Sequence, residues 1–259
     1  MFRKSLLSLV VCNLMLRMLR KCGLQVSDEQ LPAPRVTVLG CCRQESINSI
    51  GFISCTDLHQ RITYPHYAKE VIEMIKFCQD GHIPPEESRF VFRTAILSGH
   101  AVESDQYVRE MFGNTDIFVV EIASKLEYRY KNRYVHHVAI DPDFNVPLTI
   151  RDKITVQKQS YESLEGDILA IRSLLAPKRF FLVTHYSSYD RGERYQLVQW
   201  LEEIGRVHNI RVLNPKKRLK GYQADSLFER EKVLTHYSKL GHKLIRNVYR
   251  WEILKQCFR

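Results

Sequence analysis

The feature that most constrains this chain is a series of short, apolar, β-branched runs, each separated from the next by a stretch with helical spacing. Asp116–Ile122 (DIFVVEI) is the clearest of them. A near-continuous apolar run of this length predicts a strand covered on both faces, as in a parallel sheet. Arg35–Gly40 (RVTVLG) predicts a first strand running into a helix start, and Phe90–Leu97 predicts a second strand ending at Ser98-Gly99. Arg179–Thr184 (RFFLVT) and Ile210–Leu213 predict a fourth and a fifth. Between them, Tyr67–Cys78, Tyr161–Leu175, Arg194–Val207 and Gly241–Leu254 place apolar residues at helical intervals, while Asp80–Glu87 reads as a loop. Alternating strands and helices predict an α/β doubly wound domain. Ligands of such sheets sit at the carboxyl ends of the strands. The residues there are Gly40-Cys41-Cys42, Ser98-Gly99-His100, Ala123-Ser124-Lys125, His185-Tyr186-Ser187 and Asn214-Pro215.

Composition excludes a disordered or fibrous chain: 44% of the 259 residues are hydrophobic and 26% charged. The net charge of +10 is unevenly spread. Residues 1–25 carry five basic residues and no acid, residues 206–259 carry 14 basic and 4 acidic, and the body between carries 20 basic and 25 acidic. Basic ends on an acidic body predict a localised anionic partner. Nucleic acid has only that charge behind it, because no helix-turn-helix, zinc-finger or RNA-recognition signature is present. Seven cysteines, an odd number with Cys41 and Cys42 adjacent, match no disulfide or zinc framework and predict a reducing, cytoplasmic setting.

The uncharged run Ser5–Leu16 is shorter than the ~20 residues a membrane span needs, and basic residues flank it without a cleavage signature. It predicts a basic amphipathic helix, either in peripheral contact with a membrane or as an extra surface helix. Leu31-Pro-Ala-Pro34 reads as a stiff linker. The expected organisation is a basic N-terminal helix and Pro linker over 1–34 and a single α/β domain over 35–259.

Chemistry concentrates at the strand ends. A cysteine between a strand and a helix start can have its thiolate stabilised by helix amides, which makes Cys41 and Cys42 candidate nucleophiles. His236, in a loop before the last helix, is the candidate base. His185 and His66 are candidate substrate contacts, and Glu121 reads as a structurally paired strand residue. His136-His137 give only a weak metal hint, since no third ligand has suitable spacing, and no metal is expected. Tyr128, Tyr130 and Tyr134, interleaved with basic residues, read as an edge hairpin. Lys216, Lys217 and Arg218, in the run Arg211–Lys220, are candidate anion-binding residues at the pocket rim.

These blocks resemble the SGNH (GDSL-like) hydrolase superfamily, and within it a Cys-containing branch similar to polysaccharide-locus acyltransferase-like proteins. Gly40-Cys41-Cys42 stands where that family has G-D-S, Ser98-Gly99 at its second block, Ala123–Leu126 at G-x-N-D, and Val233–His236 at D-x-x-H. The chain departs from the pattern at three places, with Cys42 for Ser, Lys125 for Asn and Val233 for Asp. The resemblance implies a flavodoxin-like three-layer α/β/α sandwich with a five-stranded parallel sheet. It also implies acyl transfer, as esterase or O-acyltransferase, on a small-molecule or glycan substrate. In that reading Cys42 and His236 form the dyad, and Gly99, Ser124 and Lys125 surround the oxyanion. No cofactor is required, although acyl-CoA is a conceivable donor for the basic rim. The alternative from another class is a catalytically degenerate binding module for an anionic or glycan ligand.

Overall fold

The computed structural model describes residues 33–62, 64–144, 146–229 and 236–257. The expected N-terminal helix lies outside the described residues, as do the side chain of Cys42 and Val233. Five parallel strands form the central sheet: β1 (Arg35–Leu39), β2 (Ser54–Cys55), β3 (Ile117–Ile122), β7 (Arg179–Thr184) and β8 (Val212–Leu213), in the spatial order β2-β1-β3-β7-β8. This is the 2-1-3-4-5 order of flavodoxin-like sheets. A smaller antiparallel sheet, β5-β4-β6, is built from β4 (Leu126–Tyr130), β5 (Arg133–Tyr134) and β6 (Thr155–Lys158). Its β4–β5 hairpin turns at Lys131-Asn132, with Lys131 in the left-handed region at φ 53°.

Helices cover both faces of the main sheet. Alternation along β3 sends Phe118, Val120 and Ile122 to one side, where they meet Val71 and Met74 of α1 (Ala68–Asp80) and Leu164, Ile168 and Ile171 of α5 (Tyr161–Leu175). Leu197, Leu201 and Ile204 of α6 (Gly192–Val207) complete that layer. Ile117, Val119, Phe181 and Val183 face the other way, against Ile47 of the 3-10 helix Cys42–Ser49 and Ile245, Tyr249 and Ile253 of α7 (Lys239–Cys257). Each fully buried aliphatic side chain of this kind contributes about 1.5–3 kcal/mol. Among the described residues no helix is long and apolar enough to cross a membrane.

One predicted strand is corrected. Phe90–Leu97 is helical, split between α2 (Pro85–Val91) and α3 (Arg93–Ser98) around an extended Phe92, and α4 (Gln106–Gly113) follows. The physical reason is local. Pro85 at the first helical position, followed by Glu86 and Glu87, is a helix start, and it lies in the segment read as a loop. Short apolar runs fit a buried helix as well as a strand, and here Ser88 and Val91 of α2 and Ala95 and Ile96 of α3 are buried. The strand beside β1 is instead the two-residue β2. Side chains reinforce that short pairing: Thr37 Oγ1 lies 2.8 Å from Thr56 Oγ1 and 2.6 Å from Thr115 Oγ1, and the Thr115 hydroxyl donates to the Met111 carbonyl.

Gly40 ends β1 under a hard steric limit. A Cβ placed there would stand 2.6 Å from Glu121 Cβ. Gly166, mid-way along α5, has open space at the same position. We therefore expect Gly40→Ala to cost about 1–3 kcal/mol through overpacking. Gly166→Ala should stabilise by about 0.5–1 kcal/mol. Urea unfolding midpoints of the two variants check the pair.

Candidate functional site

Strand alternation assembles the site. Residues 117, 119 and 121 of β3 share the face that meets α7, so the acid of an otherwise apolar strand is carried into that layer. On β7, Phe181 and Val183 point the same way, and His185 follows one residue beyond the strand end. Glu121 and His185 thereby meet: His185 Nδ1 lies 2.8 Å from Glu121 Oε1. Cys41, at the N-cap of the 3-10 helix, donates its backbone N–H to Glu121 Oε2 at 2.9 Å, and its Sγ stands 4.0 Å from His185 Nδ1. Exposure is 5% for Cys41, 1% for Glu121 and 8% for His185.

The electrostatics follow from burial and pairing. Burial opposes charge on Glu121, yet hydrogen bonds with His185, Cys41 and Gln44 and the charge of His185 outweigh it and hold the carboxyl at about 2. Burial lowers His185 below the ordinary imidazole value, against the opposing pull of Glu121, and the guanidiniums of Arg43 and Arg194 add to the lowering. The resting pair is thus a carboxylate accepting from a neutral Nδ1–H, which leaves Nε2 as the basic nitrogen. Arg43 is buried, its guanidinium 5.0 Å from the centre of the Phe228 ring and 6.0 Å from that of Tyr237. Arg194 interacts electrostatically with Cys41 and Glu121. Arg194 therefore acts on the thiol and the carboxylate, and Arg43 on the His185 ring between them.

The sequence-predicted residues divide. His185 is at the centre of this cluster. His66 borders it, because its carbonyl accepts from the amides of Ala123 (2.8 Å) and Ser124 (3.0 Å) just beyond β3, and its ring feels the charges of Glu121 and His185. Burial first, then the charges of His137, His185 and Arg93, hold His66 down at about 3 against the opposing pull of Glu121. Ser124 closes a turn, its hydroxyl accepting from Leu126 N at 2.9 Å. His236 is half-buried, its carbonyl accepting from Glu229 N, and the neighbouring Tyr237 ring is the one near Arg43.

Two expectations need correction. Gly99 follows a helix, not a strand, as the left-handed C-cap of α3, and it is exposed with open space where a Cβ would be. Lys125 is buried against α6: Nζ donates to Gln196 Oε1 at 2.5 Å, pairs with Glu193 and sits 4.5 Å from the Trp200 ring centre. A buried ammonium needs such partners, so it is committed there and does not serve as an oxyanion donor. At the rim, Lys216 pairs with Asp190 at 2.9 Å and Lys217 with Glu202 at 2.7 Å, while Arg218 is exposed. Lys216, Lys217 and Lys220 still line a groove of about 430 Å³ with Ser187 and Asn214.

Sequence reasoning read Glu121 as structurally paired, which it is, ranked Cys41 behind Cys42, and passed over Arg43 and Arg194. The signal was an ionisable residue inside the run IFVVEI. An acid buried there needs a partner, and the next strand end supplies a histidine.

No protein-family model matches the chain, and no curated protein matches it. Among solved structures the chain is similar to the lipase/acylhydrolase from Enterococcus faecalis, at 10% identity over 86% of this chain and 96% of that one, with a TM-score of 0.45. It is also similar to a GDSL-like lipase from Bacteroides thetaiotaomicron VPI-5482, at 10% identity, 94% and 98% coverage and a TM-score of 0.39. A catalytic mutant of an acetylxylan esterase from Geobacillus stearothermophilus matches at 12% identity, with 87% and 94% coverage and a TM-score of 0.38. At these values the likenesses assign no activity and no site residue, and the fold rests on the strand order above.

The depressed histidines set a pH dependence. His66, His136 and His185 are all lowered, each chiefly by burial. An unfolded chain protonates these rings below about pH 6.5, whereas the folded one resists until well below that. The stability from keeping them neutral is complete above about pH 6.5 and falls as pH drops toward the folded values, by up to about 1.4 kcal/mol per pH unit for each ring. Glu121 acts in the same sense lower down: its contribution is present above about pH 4.3 and is lost as pH falls through about 2. Urea midpoints should fall from about pH 7.5 to about pH 5, and His66→Asn should flatten that slope.

Proposed function

We propose that this chain is a divergent SGNH-like acyl-transfer protein, an esterase or O-acyltransferase acting on an O-acyl group of a carbohydrate. The observation that carries the reading is the meeting of Cys41, His185 and Glu121 at the ends of β1, β7 and β3. Cys41 is the nucleophile to which the described geometry points. In the first step the Cys41 proton passes to the His185 imidazole, whose positive charge the buried Glu121 carboxylate stabilises. The thiolate attacks the acyl carbon, the C–S bond forms as the ester C–O bond breaks, and the imidazolium returns the proton to the leaving oxygen. Water or a sugar hydroxyl then takes the acyl group by the reverse sequence. The 4.0 Å contact is to Nδ1, which the carboxylate already holds, so the transfer requires the basic Nε2 to be turned toward the thiol when substrate binds. An acyl-CoA donor would lay its phosphates in the groove near Lys220, exchanging the ion pairs of Lys216 and Lys217 for its own. In this reading the chain works in a reducing, cytoplasmic setting.

A second reading has its own support. The Cys41 amide is spent on Glu121, and the thiol lies nearest the ring nitrogen that the carboxylate already holds. Both facts suit a binding module that keeps the pocket without turnover.

Activity against acetylated sugars and acyl-CoA, with trapping of a labelled acyl thioester, separates the readings. Cys41→Ala should abolish the thioester, and Glu121→Gln should lower turnover at least ~100-fold. Cys42→Ala and His236→Ala should retain it. A thioester that survives Cys41→Ala but not Cys42→Ala restores the Cys42–His236 dyad, and no thioester with any donor favours the binding module.

A further inference from the structure

Beside the thiol cluster lies a second group that acyl transfer does not use. His66, His136 and His137 form a closed triplet, with ring centres 5.0 Å (His66–His136), 4.4 Å (His66–His137) and 4.2 Å (His136–His137) apart. One nitrogen of each ring lies within 4.8 Å of the others. The sequence offered only an adjacent pair; the loop before α1 brings in the third ring. His136 is fully buried at 0% exposure. Its Nδ1 accepts from the backbone N–H of Val138 at 3.2 Å, so in the neutral ring the proton is on Nε2. That Nε2–H makes no hydrogen bond of full strength; the Tyr64 backbone approaches closely enough to favour the protonated ring. A buried donor left wholly unpaired costs about 1–3 kcal/mol, and a stronger incoming acceptor would recover the part that the Tyr64 backbone does not.

Three imidazoles in such a group could be read as ligands for a divalent cation. Two facts oppose that. A metal at His136 Nε2 needs the lone pair where the proton sits, and a metal-bound histidine donates its other nitrogen outward instead of accepting there. The Arg93 guanidinium also bears on all three rings, and its charge repels a cation. Both facts suit an anion. The acids that act on this group are otherwise engaged: Glu121 accepts from His185 and Cys41, and Asp141 Oδ1 accepts from Asp143 N at 3.0 Å.

We propose that His66, His136, His137 and Arg93 form an oxyanion-binding subsite that receives a carboxylate or phosphate oxygen of a ligand, with His136 Nε2–H as the buried donor. Arg93 supplies the charge, the rings supply directional hydrogen bonds, and the His66 loop ties the subsite to the end of β3 beside Glu121. The subsite stands whether or not Cys41 is a nucleophile. If the acyl-transfer reading also holds, it selects substrates bearing an acidic group near the acyl ester.

The test is a titration of the full chain with inorganic phosphate and, separately, with acetate, followed through the histidine side-chain 15N and 1H resonances. Saturable movement of the His136 Nε2–H signal is expected with at least one anion, and the preferred one distinguishes phosphate from carboxylate. Arg93→Gln, at a half-buried position, should weaken binding at least ~tenfold. His136→Phe should abolish it, and Cys41→Ala should leave it unchanged even though acyl transfer is lost. No movement with either anion would overturn the proposal, as would undiminished binding in Arg93→Gln. Co²⁺ taken up with a tetrahedral absorption band that His136→Phe removes would overturn it in favour of a metal site.

Discussion

The carboxylate of Glu121 is the constraint on which the rest of the site depends. It sits inside the sheet layer with almost no exposure, where an unpaired charge would be prohibitively costly. Its two oxygens are met from two separate chain segments, one by the His185 ring and the other by the Cys41 amide. Satisfying one buried charge therefore fixes the end of β1 against β3 and the end of β7 against both. Gly40 is the steric counterpart, since only a residue without a side chain lets the β1 terminus come this close. The thiol is delivered to its place by that approach, and the two arginines nearby offset the negative charge that gathers there.

This organisation also explains why a histidine at a strand end stays neutral. A hydrogen bond to a carboxylate ordinarily raises an imidazole, but complete burial and the neighbouring guanidiniums outweigh it. The result is a ring poised to accept a proton only when a new negative charge or a departing proton appears beside it. Such a response suits chemistry that passes through a transient imidazolium. It equally suits a site that waits for an anionic ligand.

The sheet was largely legible because its strands are apolar runs with little local ambiguity. Ile117–Ile122 and Arg179–Thr184 are buried nearly throughout, and the periodic helices Tyr161–Leu175 and Gly192–Val207 carry clean apolar faces. Phe90–Leu97 misled because the same apolar residues serve a helix once Pro85 starts one. The real partner of β1 has two residues, too few for any pattern to show. At the site, strand ends drew attention to Cys41 and His185. What local sequence could not supply was pairing across the sheet. Glu121 and His185 are 64 residues apart, Cys41 and Glu121 80, and His66 meets His136 only because a loop and a hairpin converge.

The threonine hydroxyls under β1 have a further effect. Thr115 gives its proton to the Met111 carbonyl, so it receives one from Thr37, which in turn receives from Thr56. The three hydrogens are thus ordered in one direction, and none is left to rotate. That relay runs crosswise to the strands and bridges β1 both to the residue after β2 and to the residue two before β3. Where the backbone ladder is only two residues long, side-chain hydroxyls take over its work. The edge of the sheet is held in register by proton order rather than by strand length.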